Sequence, residues 1–376
     1  MSAHGTIRSF EGARGLAALL VALFHLGLGE PAILRIPAGY LFVDLFFVLS
    51  GFLICASYAS KLERPGELPV FLLRRTGRLL PLLLVATAAY VAMLDAGILA
   101  HRLLEPGRAA QPLVFPTLKE LLATLTMTHS LGLFDHAVLN YAAWSISTEF
   151  YAYLVFALLC LMLRGRVRLL AFGTTALAGW LVCAWVSVRL RGCPTWGGCL
   201  DITFDYGYWR CLAGFFLGAL LSQLQGHGPR AGKRALAFAQ AAALAALLLL
   251  FALVRRWPVV GLAAPLLFGL LLLSIRSDRG PLAALFGTAP LQVLGRNSYS
   301  VYLMHPVILL AWNPGRPYAT GWAGQLLFAC GYVALVWWVA GWTFRLVEEP
   351  MRTRFNRYAA LRFGSRAYQP KARISR

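Results

Sequence analysis

Apolar runs of about 20 residues, separated by short polar segments, recur along the whole chain. That length is what a helix needs to cross the hydrocarbon core of a bilayer. The pattern predicts ten transmembrane helices, at residues 13–29, 38–59, 78–99, 142–163, 168–188, 209–225, 235–254, 258–275, 298–313 and 322–346. The sequence therefore predicts an all-α polytopic membrane protein, with a transmembrane domain over residues 1–350 and a basic cytoplasmic tail over 351–376.

One further apolar stretch, residues 119–134, tests this topology, because an additional span there would invert every later loop. The stretch is short, and it begins with the charged pair Lys119 and Glu120. We interpret it as an interfacial or re-entrant helix within a long external loop, residues 100–141.

Composition supports a membrane solvent, since 59% of the residues are hydrophobic and only 13% are charged. In a typical soluble domain, about 25% of all residues are charged. The net charge of +20 is strongly basic, but the basic residues cluster in short loops and do not follow one face, which disfavours a nucleic-acid partner. With ten spans, 25 of the 35 Lys and Arg residues fall on the side of the termini. The positive-inside rule then predicts that both termini are cytoplasmic.

Two of the seven cysteines, Cys193 and Cys199, flank a loop that this topology places outside the cytoplasm, where a disulfide is plausible. The other five lie in or at apolar segments. We predict that these five are buried as small hydrophobic residues: Cys55, Cys160, Cys183, Cys211 and Cys330.

Arg14 and His25 lie on the first predicted helix, eleven residues apart. At about 100° per residue they share one face, separated by roughly 16 Å along the axis. Alone, Arg14 is explained by a snorkelling anchor and His25 by helix packing. Neither explanation accounts for the shared face, and ionisable groups within a membrane are candidate functional sites.

Three other spans place Asp44, Glu149 and His305 at a depth similar to that of His25. A carboxylate beside an imidazole fixes its tautomer and raises its basicity, as general-base catalysis requires. A proton relay in a transporter would use the same residue types. These four residues are therefore compatible with an enzyme and with a transporter.

Arg75 and Arg78 begin the third predicted helix at positions i and i+3, and so share a face. Each arginine alone is explained as a positive charge that flanks the cytoplasmic end of a transmembrane helix. Arginine also matches the geometry of phosphate oxygens, which favours a clamp for a phosphate-bearing donor.

Five motifs lie in order along the chain: FEGARG at 10–15, followed by His25; FFVLSGF at 46–52; RTGR at 75–78; WSISTE at 144–149; and YSVYLMHP at 299–306. Together they resemble the membrane-bound acyltransferase 3 family, the bacterial carbohydrate O-acyltransferases, over about residues 7–350. Glu11 stands where the family usually has Asp, and Ala13 where it usually has Leu.

The resemblance implies transfer of an acyl group, most often acetyl, from cytoplasmic acyl-CoA to a hydroxyl of an extracytoplasmic or lipid-linked carbohydrate. It implies a catalytic His25, which we expect Asp44 or Glu149 to orient, and donor binding by Arg14, Arg75 and Arg78. We regard Glu11, Ser147, Tyr302 and His305 as further site candidates. Acyl-CoA would be a substrate, with no permanently bound cofactor and no metal, and membrane lipid would surround the protein. The alternatives are acylation of a small natural product or a lipid, and a transporter with a His/carboxylate relay.

Overall fold

A computed structural model describes residues 7–28, 36–104, 111–223 and 232–363. Within these ranges the regular elements are all helical, which confirms the predicted all-α class. The α-helices are α1 (Arg8–Leu26), α2 (Phe42–Tyr58), α3 (Glu67–Leu104), α4 (Leu118–Leu125), α5 (Trp144–Met162), α6 (Gly165–Trp185), α7 (Cys193–Trp196), α8 (Gly207–Gln223), α9 (Lys233–Leu253), α10 (Ala264–Ile275), α11 (Pro281–Phe286), α12 (Ala289–Arg296), α13 (Ser298–Trp312), α14 (Gly321–Thr343) and α15 (Glu349–Phe363).

Eight helical segments in the described part of the chain are long and apolar enough to cross a membrane, which makes this a multi-pass membrane protein. They are Arg8–Leu26, Gly39–Tyr58, Glu67–Leu104, Tyr141–Met162, Gly165–Leu190, Lys233–Leu253, Pro258–Ile275 and Gly321–Phe363. The other two predicted spans correspond to α8 and α13, which have 17 and 15 residues and are mostly buried by their neighbours. A helix enclosed by protein contacts lipid along little of its length. The number ten and the sidedness therefore stay predictions.

The apolar stretch after residue 118 forms α4, a helix of eight residues. Its length of about 12 Å is too short for a span, in agreement with the interpretation of a short helix within a loop. Thr117 and Glu120 form a capping box: the Thr117 hydroxyl accepts from the Glu120 amide, and the Glu120 carboxylate accepts from the Thr117 amide.

Helices α2 and α8 pack in backbone contact near the centre of the bundle. A Cβ added to Gly51 would lie 1.8 Å from the carbonyl oxygen of Phe215, and one added to Gly218 would lie 1.9 Å from that of Val48. Only glycine permits this approach, which is how small residues associate helices in membranes. The contact fixes α2 against α8 and thereby sets which side chains of the two helices meet.

A disulfide joins Cys193 and Cys199, in agreement with the pairing considered from the sequence. Four of the remaining cysteines are buried as predicted. The prediction is wrong for Cys330, which is exposed because it lies on the outer surface of α14.

At the end of the described chain, α14 continues without a break through a π-helical turn, Phe344–Glu348, into α15. The predicted boundary at residue 350 falls inside this continuous helix. Residues 364–376 of the predicted tail lie outside the described residues.

Candidate active site

An internal cavity of about 150 Å³ lies between α1, α2, α3, α5 and α13. It brings together five of the predicted site residues, namely Arg14, Arg75, Arg78, Glu149 and Tyr302. Phe46, Leu53 and Ile146 are among the apolar residues that complete the wall. We call this space the arginine cavity.

Arg14 is held in the wall by two contacts. Its Nη2 donates to the Glu11 carboxylate at 2.8 Å and to the carbonyl oxygen of Gly295, on α12, at 3.0 Å. The Arg14 Nε is buried and has no hydrogen-bond partner among the described residues. Glu11 thus acts as the counter-charge of Arg14, and the Nε of this guanidinium is still available to a ligand.

Arg78 forms an ion pair with Glu348, a fully buried carboxylate from the π-helical turn. The other Glu348 oxygen accepts a hydrogen bond of 2.8 Å from the hydroxyl of Ser300, on α13. The guanidinium also lies over the ring of Tyr299, 5.2 Å from its centroid. Arg78 therefore links α3, α13 and the end of α14, and its charge is balanced within the protein.

Arg75 differs from both neighbours, because it forms no ion pair with any described residue. Its guanidinium lies among the rings of Tyr58, Phe71 and Tyr153, at 5.4, 5.9 and 5.9 Å from their centroids. The Tyr58 hydroxyl is 3.5 Å from its Nη2, and its Nε is buried without a partner. Of the three arginines in the cavity, Arg75 has the most unneutralised charge to offer an anion.

Glu149 also faces the arginine cavity, where its carboxylate accepts a hydrogen bond of 2.5 Å from the Tyr153 hydroxyl. That hydroxyl is in turn 3.0 Å from the Ser50 Oγ. The expected contact between Glu149 and His25 does not form, because α5 turns this carboxylate toward the arginines. Glu149 therefore belongs to the arginine cavity and not to the histidine pair.

His25 and His305 form a close pair, with 3.2 Å between the His25 Nδ1 and the His305 Nε2. Their ring centroids lie 5.0 Å apart. The pair lies one turn of α13 beyond Tyr302, whose side chain lines the arginine cavity. The two motifs that carry these histidines are thus adjacent in space, although 280 residues separate them in the chain.

Backbone contacts assign the tautomers of this pair. The His305 Nδ1 is 2.7 Å from the carbonyl oxygen of Tyr302, and the His25 Nδ1 is 2.9 Å from that of Val21. Because a carbonyl oxygen only accepts, each Nδ1 carries a hydrogen when the rings are neutral. The His305 Nε2 then accepts from His25, and the lone pair of the His25 Nε2 has no hydrogen-bond donor among the described residues. His25 is thus set up as a base.

The loop between α4 and α5 reaches the histidine pair at its end, through a turn at Tyr141–Ala143. The Tyr141 ring centroid is 5.1 Å from that of His25 and 6.3 Å from that of His305. Asn140, before this turn, donates from its amide to the carbonyl oxygen of Leu303, on α13, at 3.0 Å. These contacts put the loop next to the catalytic candidate.

Asp44 does not contact His25, so the expectation that it orients this imidazole is wrong. Arg210 of α8 takes both carboxylate oxygens, from Nε at 3.0 Å and from Nη2 at 2.7 Å. The remaining Arg210 donors reach the carbonyl oxygens of Tyr40 and Ile202. Since both side chains are almost completely buried, we infer that Asp44 acts as a structural ion pair across the α2–α8 contact.

Ser147 is also occupied by the fold. Its hydroxyl donates to the carbonyl oxygen of Met127 at 2.7 Å and accepts from the amide of Ser130 at 3.1 Å. By contrast, the neighbouring Ser145 faces the arginine cavity and donates to the Tyr302 hydroxyl at 2.9 Å. Ser147 thus fixes the loop against α5.

The loop histidines differ in their surroundings. His129 is buried, and its burial lowers its pKa. His136 is exposed, and its hydrogen bonds to Asp135 and Glu120 raise its pKa. No three His, Cys, Asp or Glu side chains in the described ranges are arranged to hold a metal ion.

Two important residues were missed at the level of sequence, Arg210 and Glu348. Arg210 stands alone in the apolar run of α8, and the rule that flags intramembrane charges could have found it. Glu348 stands in a basic segment and gives only the weak signal of an acidic residue among arginines.

Comparison with known proteins adds independent information. A family model described as an acyltransferase domain, acyltransferase 3, matches residues 7–342. BcsY of Komagataeibacter xylinus, which bears the name of a membrane-bound transacylase, is 30% identical over 315 residues, 81% of this chain and 73% of that protein. Protein 2 in the picA locus of Rhizobium radiobacter is 37% identical over 158 residues, 39% of this chain and 78% of that protein. No solved structure matches the chain significantly.

Proposed function

The chain belongs to the acyltransferase 3 family, and on that premise we propose that it transfers an acyl group, usually acetyl, from cytoplasmic acyl-CoA to a carbohydrate hydroxyl. The acceptor is an extracytoplasmic or lipid-linked sugar, and the enzyme lies in a bacterial inner membrane. One observation carries the proposal: a cavity with three arginines ends at Tyr302, one helical turn from His305, and His305 is the hydrogen-bond partner of His25.

The arginine cavity suits the phosphate-bearing part of the donor. Arg14 and Arg78 have carboxylate partners, whereas Arg75 has none in the described structure and offers a buried, unpartnered Nε. Charge-assisted contacts with phosphate are stronger than neutral hydrogen bonds. Arg14 and His25 lie roughly 16 Å apart along α1. The extended pantetheine arm can cover that distance and bring the thioester to His25.

In the proposed chemistry, the His25 Nε2 removes the proton from the acceptor hydroxyl as its oxygen attacks the thioester carbonyl carbon. The new C–O bond forms, the C–S bond breaks, and the thiolate takes the proton back from His25. His305 accepts the Nδ1 hydrogen of His25 throughout and so keeps the basic nitrogen aimed at the substrate. An acyl-histidine intermediate is the alternative route.

The transporter alternative needs a relay of groups that exchange protons across the membrane. In the described structure Asp44 contacts Arg210, and Glu149 contacts Tyr153, so neither carboxylate touches the histidine pair. This separation favours acyl transfer over proton-coupled transport. The choice among a carbohydrate, a lipid and a small natural product depends on loop residues, and the carbohydrate proposal follows the family resemblance.

The test uses cells that produce the wild type, His25→Ala or the control His136→Ala, which removes an exposed loop histidine. Mass spectrometry of surface glycans and lipid-linked sugars should find acyl groups with the wild type and the control. His25→Ala should lose them while reaching the membrane in equal amount. Acylated glycan from cells with His25→Ala would refute the mechanism, and acylated lipid or natural product in place of glycan would change the acceptor.

A further inference from the structure

Helix α15 lies beyond the part of the chain that the family model covers, which ends at residue 342. It nevertheless packs against the motif that supplies Arg75 and Arg78. A Cβ added to Gly77, between these arginines, would lie 2.2 Å from the Phe355 Cβ of α15. Such a contact leaves no room for any other residue at position 77, so α15 is seated directly on the arginine motif.

The buried stripe of this segment follows helical spacing. Glu348, Arg352, Phe355 and Ala359 stand at positions i, i+4, i+7 and i+11, which places them on one side of the helix. Glu348 and Ala359 are buried, and Arg352 and Phe355 are half-buried. Arg354, two residues further along, is exposed. Arg352 thus lies on the side of α15 that packs against the arginine motif, whereas Arg354 lies in solvent.

Arg352 stands in a cluster of charges with Arg78, Arg14, Glu348 and Glu349. Glu348 already pairs with Arg78, and Arg14 has a carboxylate partner of its own. Arg352 itself forms no ion pair within the described residues, although the exposed Glu349 acts on it electrostatically. The half-buried Arg352, where α15 meets α3, can therefore offer its guanidinium to a phosphate.

We propose that α15 forms one wall of the donor site and that Arg352 binds a phosphate of the nucleotide half of acyl-CoA. This inference rests on the proposed function. Arg352 does not line the arginine cavity itself; it comes from α15, which packs on the motif of Arg75 and Arg78. It is thus placed for the part of the donor most distant from the thioester. The nucleotide half of CoA bears three phosphates, more than the one uncompensated arginine of the cavity can balance.

The experiment compares Arg352→Ala with the matched control Arg354→Ala, both in the full-length protein reconstituted in phosphatidylcholine nanodiscs. The probes are acetyl-CoA and S-acetylpantetheine, which has the same thioester and arm but no phosphate. Loss of one charge-assisted contact weakens binding by roughly tenfold or more. Arg352→Ala should therefore raise the Kd for acetyl-CoA by about that factor and leave the Kd for S-acetylpantetheine unchanged. Arg354→Ala should change neither, and Arg352→Lys should recover part of the loss.

Equal acetyl-CoA affinity in Arg352→Ala and Arg354→Ala would overturn the inference. A similar loss with both probes would also overturn it, because that result indicates general damage to the fold. Repeating the comparison with phosphatidylglycerol in the nanodiscs separates a lipid phosphate from a donor phosphate. An effect confined to anionic nanodiscs would assign Arg352 to lipid. A wild type that binds neither probe would instead contradict the proposed function.

Discussion

The buried pair of Asp44 and Arg210 gives a prediction that separates a structural role from a catalytic one. Asp44 and Arg210 are 0% and 1% exposed. Arg210 of α8 donates two hydrogen bonds to Asp44 of α2 and one each to the carbonyl oxygens of Tyr40 and Ile202. Removing one partner of a buried ion pair leaves an uncompensated charge and costs about 3–5 kcal/mol. Replacing both partners by apolar residues of similar size is often neutral.

We therefore expect Arg210→Met alone and Asp44→Leu alone to be strongly destabilising. At roughly 2 °C per kcal/mol, the melting temperature in detergent would fall by about 6–10 °C. The double variant Asp44→Leu/Arg210→Met should recover most of this loss. Two carbonyl oxygens, those of Tyr40 and Ile202, would still lose their donor, at a cost of about 1 kcal/mol each.

The assay has two readouts, thermal unfolding of the purified protein and acyl transfer by the same sample. If Asp44 only holds the helices together, the double variant regains both stability and activity. A double variant that is stable but inactive would assign Asp44 a chemical role and refute our interpretation. Single variants as stable as the wild type would show that the pair does not fix α2 against α8.

Three further predictions concern the site and the disulfide between Cys193 and Cys199. His305→Ala should lower kcat by about a hundredfold with little change in the KM for acyl-CoA, because His25 loses the side-chain partner that holds its ring in position; steady-state kinetics would show an unchanged kcat if the pair is incidental. Arg75→Ala should raise the Kd for acyl-CoA by about 10- to 100-fold in a binding titration, and equal affinity would argue against a phosphate contact. Cys193→Ser should lower stability by about 2 kcal/mol, measured by thermal unfolding, and maleimide labelling of the unfolded wild type should gain two thiols only after reduction.

Sequence patterns predict this fold well where the property is local. Apolar run length predicts the spans, and helical spacing predicts that Arg14 and His25 share a face. Depth within the membrane can also be counted along a span. The pairings depend on how helices rotate against each other, and this is not local: Asp44 meets Arg210 across 166 residues, and Arg78 meets Glu348 across 270.

Counting depth along the spans predicts that His25, Asp44, Glu149 and His305 lie together. In the structure, the rotation of the helices separates the two carboxylates from the two histidines. The glycines of α2 and α8 determine part of that rotation, because they let the two backbones touch. Gly77 likewise lets α15 approach α3 closely. A sequence shows that a glycine is present, but the helix that it admits is known only from the packed structure.

The histidine pair also has a consequence for proton stoichiometry. With only 3.2 Å between the two nitrogens, a proton taken up by one imidazole opposes protonation of the other. The two rings then behave as a single acceptor with a capacity of one proton. On the acidic side of the pH–rate profile, the logarithm of the rate should therefore rise with pH at a slope of one. An enzyme with a single histidine would show the same slope, although this site contains two.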